Sequence, residues 1–371
     1  MSDISASESP VFVLARRLGL SLPGIAAAWA NASDAKRELA SRIEDSQILS
    51  GGADSDRSFV VFGSLARNEF TGSGRSDVDW TLLVDGVAAV QDIDLVHRLR
   101  HLVNETGHKE PNAAGPFGNL AFSHDLIHQI GGSDDSNVNT TQRLLLLLES
   151  VSLYGEQVRT RVVRNILSRY VLEDESFLSG KHEEHVPRFL LNDVARFWRT
   201  MAVDFQTKKR ERENKGFALR NVKLRFSRKL LYLAGLVTCF SFCIWQDDAD
   251  VKRAWDSGLG LLDRGMPIVF CLEKFANMPP LELLSLAFLN LGMDAEPVKQ
   301  FLSSYDGFLQ LLSDENSRRR LEELAPENMA EDEVYQGARN LSHMFQKAIE
   351  DVFLAPRLNL LSELTIKYGV F

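Results

Sequence analysis

A chain of 371 residues, 44% apolar and 25% charged, is long enough for two domains with separate cores and is no disordered or fibrous polypeptide. Its formal charge of −9 argues against a general nucleic-acid (including DNA) binder, and its three cysteines (Cys239, Cys243, Cys271) argue against a disulfide framework. Their apolar surroundings and odd number point instead to a reducing, cytoplasmic setting. The opening MSDISASESP is polar and acidic, unlike a secretory signal. The longest apolar run, Leu230–Ile244, is short for a membrane span and reads as a buried helix, so no membrane is expected as a partner.

In chain order, Val11–Leu20 and Ala35–Leu49 have helical composition, the second with Asp34 as its N-cap. Gly51–Arg57 reads as a loop. The apolar Phe59–Phe62 reads as a strand that runs into Gly63-Ser64 and a short helical stretch, Leu65–Phe70. A second strand, Val78–Val84, is closed by Asp85-Gly86. Gln91–Asn104 has helical spacing, Glu105–Phe117 is loop-like, and Leu120–Ile130 has the character of a third strand. Gly131–Asn139 turns, Thr140–Ser150 is a helix with a leucine run, and Tyr154-Gly155 ends the unit. From Val158 onward strand patterns vanish. Helical periodicity takes over, including Arg188–Phe205, Asn221–Trp245, Leu281–Asn290, Val298–Leu312 and Asp332–Phe353. The expected architecture is an α/β unit over residues 1–157 followed by an all-helical domain over 158–371.

The segment FVVFGSLARNEFTGSGRSDVDW, residues 59–80, carries the strongest functional signal. Asp77 and Asp79, at i and i+2 on a strand, project from one face, with Val78 and Trp80 on the other. Such a pair holds divalent cations, and a Gly-Ser turn ahead of a helix takes the phosphates those cations carry. The run Gly63-Ser64-Leu65-Ala66-Arg67-x-Glu69 leading to Ser76-Asp77-x-Asp79 resembles the DNA polymerase β-like nucleotidyltransferase superfamily, and within it the PII uridylyltransferase branch. The resemblance is sharp over about 25 residues, extends over Ala35–Gly155 and is faint beyond. It implies a mixed sheet flanked by helices, with helical appendages completing the nucleotide and acceptor sites. It also implies Mg²⁺-dependent transfer of an NMP from an NTP, ATP among them, to an acceptor hydroxyl.

That chemistry uses two Mg²⁺ ions held by clustered carboxylates. Asp77 and Asp79 are the first two ligands. The resemblance implies a third carboxylate on a neighbouring strand, and Asp125, in Ser123-His124-Asp125-Leu126-Ile127, is the candidate. Asp134 and Asp135 are alternatives, and the third carboxylate can also be absent. Ser64 is placed to donate to the phosphates, with Gly63 allowing close approach of the chain. Arg67, one turn on, faces either the phosphates or a local carboxylate such as Glu69.

Charge is segregated. Arg188–Lys229 holds thirteen Lys/Arg against four acids, a net +9 that leaves −18 for the rest of the chain. Within it, Val222, Phe226, Leu230, Leu233 and Val237 recur as one apolar stripe. At about 100° per residue, Lys223 and Lys229 each fall roughly 60° from the stripe centre. They are the candidates to hold the triphosphate; the alternative is snorkelling at a helix surface. His182-Glu183-Glu184-His185 lacks the i, i+4 spacing of a zinc-protease helix and reads as a solvated loop. Two functions stand: an active nucleotidyltransferase, with a protein side chain favoured over RNA or a small molecule as acceptor, or a non-catalytic nucleotide-binding module. The third carboxylate separates them.

Overall fold

The computed structural model describes residues 9–49, 56–72, 77–108, 117–174, 185–211, 215–257, 261–355 and 359–369. These are mostly helical, built around one mixed four-stranded sheet. Its strands are β1 (Arg57–Phe62), β2 (Trp80–Val84), β3 (Asn119–Phe122) and β4 (Ser150–Tyr154), in spatial order β3-β2-β1-β4. β1 is antiparallel to both neighbours, while β2 and β3 are parallel. A parallel pair needs a crossover, and the helix Val90–Glu105 supplies it.

Strand alternation sorts the side chains. Phe59, Val61, Val78, Trp80 and Leu82 face a core with Leu39, Ile43, Leu99 and Val103, where the Phe59 and Trp80 rings stack 5.3 Å apart. On the opposite face Phe62, Thr81 and Leu83 meet Leu126, Leu145 and Leu146 around a small apolar cavity.

The chain divides into two compact units. One comprises residues 28–187 with 248–279, and the other residues 1–27 with 188–247 and 280–371. This differs from the expected boundary between 157 and 158. Helix Glu156–Leu172 stays with the sheet and binds the segment near 273–277. Arg164 pairs bidentately with Glu273 at 2.8 and 2.9 Å, and the buried Arg159 donates to Asn277 Oδ1 and to Ser150 Oγ. Burial lowers the Arg159 guanidinium to about 10, which still leaves it cationic at neutral pH.

The second unit is all helical. Its centre is aromatic: Phe226 stacks on Phe308 at 4.5 Å and on Phe345 at 5.2 Å, with Tyr305 edge-on. Glu282 closes the helix Pro10–Leu18 by accepting from Ser9 Oγ and the Val11 N–H. Among the described residues one helix, Phe217–Ile244, is long and apolar enough to cross a membrane, but 83% of its apolar window is buried, as in a core helix.

Several boundaries depart from the sequence expectations. Asp34 lies inside the helix Pro23–Ser46 and is no N-cap, because Pro23 opens that helix in the position where proline costs nothing. The third strand stops at Phe122, and Ser123–Ile127 is helical. The leucine-run helix spans Asn137–Leu148, capped by the Ser136 side chain, and gives way to β4.

His108 is buried against Phe70, ring centres 5.6 Å apart, and neither of its nitrogens has a hydrogen-bond partner. Burial pushes its imidazole below the usual histidine value; Glu38 opposes that shift and Arg42 adds to it. The unfolded chain therefore binds a proton at a higher pH than the folded one. Stability from this group is complete above about pH 6.5 and is lost as pH falls through and below that value, by at most about 1.4 kcal/mol per pH unit. Urea melts at pH 7.5 and 5 should show His108→Leu flattening this acid-side loss; an unchanged pH dependence would refute the assignment.

Candidate functional site

β1 ends at Phe62, and the chain turns directly into the helix Gly63–Ala66. That turn puts Gly63 at φ +66°, a left-handed conformation that favours glycine. Space is tight as well: a Cβ on Gly63 would lie 2.7 Å from Asp79 Oδ2 and would displace that carboxylate. The antiparallel ladder produces this closeness, because the Phe62 N–H donates to the Asp79 carbonyl at 2.8 Å. The Gly-Ser turn and the second aspartate of the Asp-x-Asp pair are thus packed together, although fifteen residues separate them in sequence.

Burial alternates along the approach to β2 as the spacing predicts. Asp77 is exposed, Val78 buried, Asp79 half-buried and Trp80 buried. Both carboxylates lie away from the apolar core that takes Val78 and Trp80. Ser64 is half-buried, and its carbonyl accepts from the Glu69 N–H at 2.8 Å. Residues 73–76, including Ser76, and residues 182–184 of the His-Glu-Glu-His run lie outside the described residues.

Arg67 is held in a buried ion-pair cluster. It is 6% exposed, and its Nε and Nη2 donate to Glu69 Oε2 at 3.0 and 2.8 Å while Nη1 donates to Glu149. Of the two expected roles, the local ion pair is the one seen, and the reason is burial: a guanidinium here must be met by carboxylates. Glu149 is the residue that sequence reasoning missed. It precedes Ser150, which pairs with Phe62, so the Glu69–Arg67–Glu149 cluster ties the turn after Gly63-Ser64 to the start of β4.

Asp125 is no strand carboxylate. It sits in the first turn of the helix Ser123–Ile127 and accepts from Gln129 Nε2 at 3.1 Å. The parallel register pairs Thr81 with Asn119 and Val84 with Phe122, so Asp79 precedes β2 while Asp125 follows β3. The two stand at opposite ends of the strand pair, roughly 15 Å or more apart at about 3.3 Å per strand residue. Asp135 is held bidentately by the buried Arg143 at 3.1 and 2.9 Å, and Asp134 is exposed in its turn. Among the described residues, no group of three or more His, Cys, Asp or Glu side chains is arranged to hold a metal ion.

Lys223 and Lys229 belong to the helical unit. The predicted stripe is buried throughout, from Val222 at 2% exposed to Val237 at 0%. A π turn over Leu224–Arg228 widens the helix between the two lysines, however, so a uniform 100° step does not place them. Lys229 Nζ donates to Gln346 Oε1 at 2.5 Å, and burial together with Arg225 lowers its ammonium below the usual lysine value, against Glu350. Lys229 is thus engaged inside its own unit.

Comparison with known protein families, curated proteins and solved structures gives no match to this chain.

Removing the guanidinium in Arg67→Ala leaves Glu69 and Glu149 buried without it and should cost about 3–5 kcal/mol in a denaturant melt. Asp77→Ala, at an exposed position, should stay within about 0.5 kcal/mol of wild type. Equal stabilities of the two variants would show that Arg67 is not the pin described here.

Proposed function

We propose that the chain binds an NTP as its Mg²⁺ complex at the Gly63–Asp79 end of the sheet and transfers the NMP to an acceptor hydroxyl, with a protein side chain as the favoured acceptor. The observation that carries this reading is the packing of the Gly63 backbone against the Asp79 carboxylate, with Asp77 two residues before it in the burial alternation that leads into β2. The donor set fits Mg²⁺: hard carboxylate oxygens, few in number, suit an ion that keeps waters and takes its remaining ligands from substrate phosphates. Asp77 and Asp79 would hold it, and when bound it would neutralise charge at the phosphoryl group being transferred. Ser64 and the Gly63 backbone would lie against the phosphates. Arg67, Asp125, Lys223 and Lys229 are left out of the proposal.

A second reading, nucleotide binding without transfer, has one observation in its favour: among the described residues no third carboxylate joins Asp77 and Asp79. Two aspartates suffice to hold a metal–nucleotide, whereas a second ion on the attacking oxygen needs further ligands.

Two measurements separate the readings. Mg-NTP binding is followed by titration, and transfer by incubating the chain with each α-³²P-labelled NTP and Mg²⁺ in a cell lysate. Both binding and label transfer should be seen, and Asp79→Ala should lower transfer about a hundredfold or more. Binding without label in protein, RNA or small molecules would establish the second reading. Full transfer by the Asp77→Ala, Asp79→Ala double variant would overturn both.

A further inference from the structure

The helix that follows β3 carries a second arrangement of metal-binding chemistry, separate from the carboxylates. His124 and His128 are one helical turn apart, and the His128 N–H donates to the His124 carbonyl at 2.9 Å, so the helical path is continuous between them. Both side chains are exposed, and their ring centres stand 5.1 Å apart at an interplanar angle of 36°. Two imidazoles on one tetrahedral ion have a similar spacing: with metal–nitrogen bonds of about 2 Å and each ring centre roughly 1 Å behind its nitrogen, the centres lie roughly 5 Å apart. The face beside them is already fixed. Gln129 donates to Asp125, and Asn139 donates to Gln129, which holds the short helix in place without using either histidine.

We propose that His124 and His128 chelate a borderline divalent transition-metal cation, Zn²⁺ or Ni²⁺, through one nitrogen each, leaving the remaining coordination positions to water or an outside donor. Imidazole suits these ions and is a poor ligand for Mg²⁺, so the site is distinct in chemistry from Asp77 and Asp79. It is also distinct in place, because His124 follows the C-terminal end of β3 while Asp79 precedes the start of the parallel β2. The chain contains an internal comparison. His97 and His101 have the same i, i+4 spacing on the helix Val90–Glu105 and are both exposed, but His101 Nδ1 lies 3.0 Å from Glu105 Oε1 and the pair is flanked by Arg98 and Arg100. With Nδ1 committed to Glu105, His101 has one nitrogen left for a metal and a ring already oriented by that contact. The His124 and His128 rings already stand at chelating distance, so the His97–His101 pair should be the weaker chelator.

Titration calorimetry of ZnCl₂, and separately NiCl₂, into the full chain in excess Mg²⁺ tests the assignment. One site is expected. His124→Ala and His128→Ala should each weaken it about tenfold or more, and His97→Ala should leave it unchanged. In the wild-type chain, Ni²⁺ should broaden the imidazole NMR resonances of His124 and His128 at lower concentration than those of His97 and His101, which keeps the test valid where a variant fails to fold. No uptake of either metal, unchanged affinity in His124→Ala, or earlier broadening at His97 and His101 would overturn the proposal.

Discussion

The close approach of Gly63 to Asp79 is the constraint on which this end of the sheet depends. A left-handed residue at the end of β1, with no Cβ, lets the chain turn into a helix while a carboxylate occupies the space a side chain would need. The β1–β2 ladder carries the closeness, since the Phe62–Asp79 backbone bond places the two residues side by side. The cost is electrostatic. Two carboxylates at i and i+2, roughly 7 Å apart, repel by about 2 kcal/mol at an effective dielectric of about 20. Against that, Val78 and Trp80 on the other face are fully buried and stabilise the strand by roughly 1.5–3 kcal/mol each. Apolar burial outweighs that cost, so Val78 and Trp80 set the alternation along this stretch.

Much of this was legible because it is local. The alternation of Asp77, Val78, Asp79 and Trp80, the need for glycine before Ser64, and the buried stripe from Val222 to Val237 each follow from a period readable within ten or fifteen residues. What the sequence hid is non-local. Glu149 meets Arg67 across 82 residues of chain, and nothing around either residue announces the other. The return of 248–279 to the sheet unit rests on Arg159 and Arg164, whose partners lie more than a hundred residues on. β4 was a different failure: Ser150-Val151-Ser152-Leu153-Tyr154 alternates as a strand should, but the leucine run ahead of it drew the helix assignment forward.

Every apolar position in the stripe is buried, and Lys223 and Lys229 beside it are half-buried. The π turn at Leu224–Arg228 accommodates one extra residue per turn, with Phe226 held inside a ring of Phe308, Phe345 and Tyr305. Aromatic packing at one position therefore sets the phase for the residues after it. Lys229, turned to Gln346 and partly desolvated, is stabilised as a helix–helix contact instead of an exposed cation.

The charge balance at the sheet end bears on what it can accept. Asp79, Glu69 and Glu149 gather near the Gly63–Ala66 turn, with Arg67 shared between the two glutamates and Lys36 donating to Asn68. Arg67 is spent on the fold, so the face that carries Asp77 and Asp79 has no help from it in attracting an anion. On the proposed reading, a triphosphate arriving with its divalent cation would bring positive charge to the two carboxylates. The same two carboxylates would then serve recognition as well as chemistry, because the ion they would hold is the one that neutralises the phosphates.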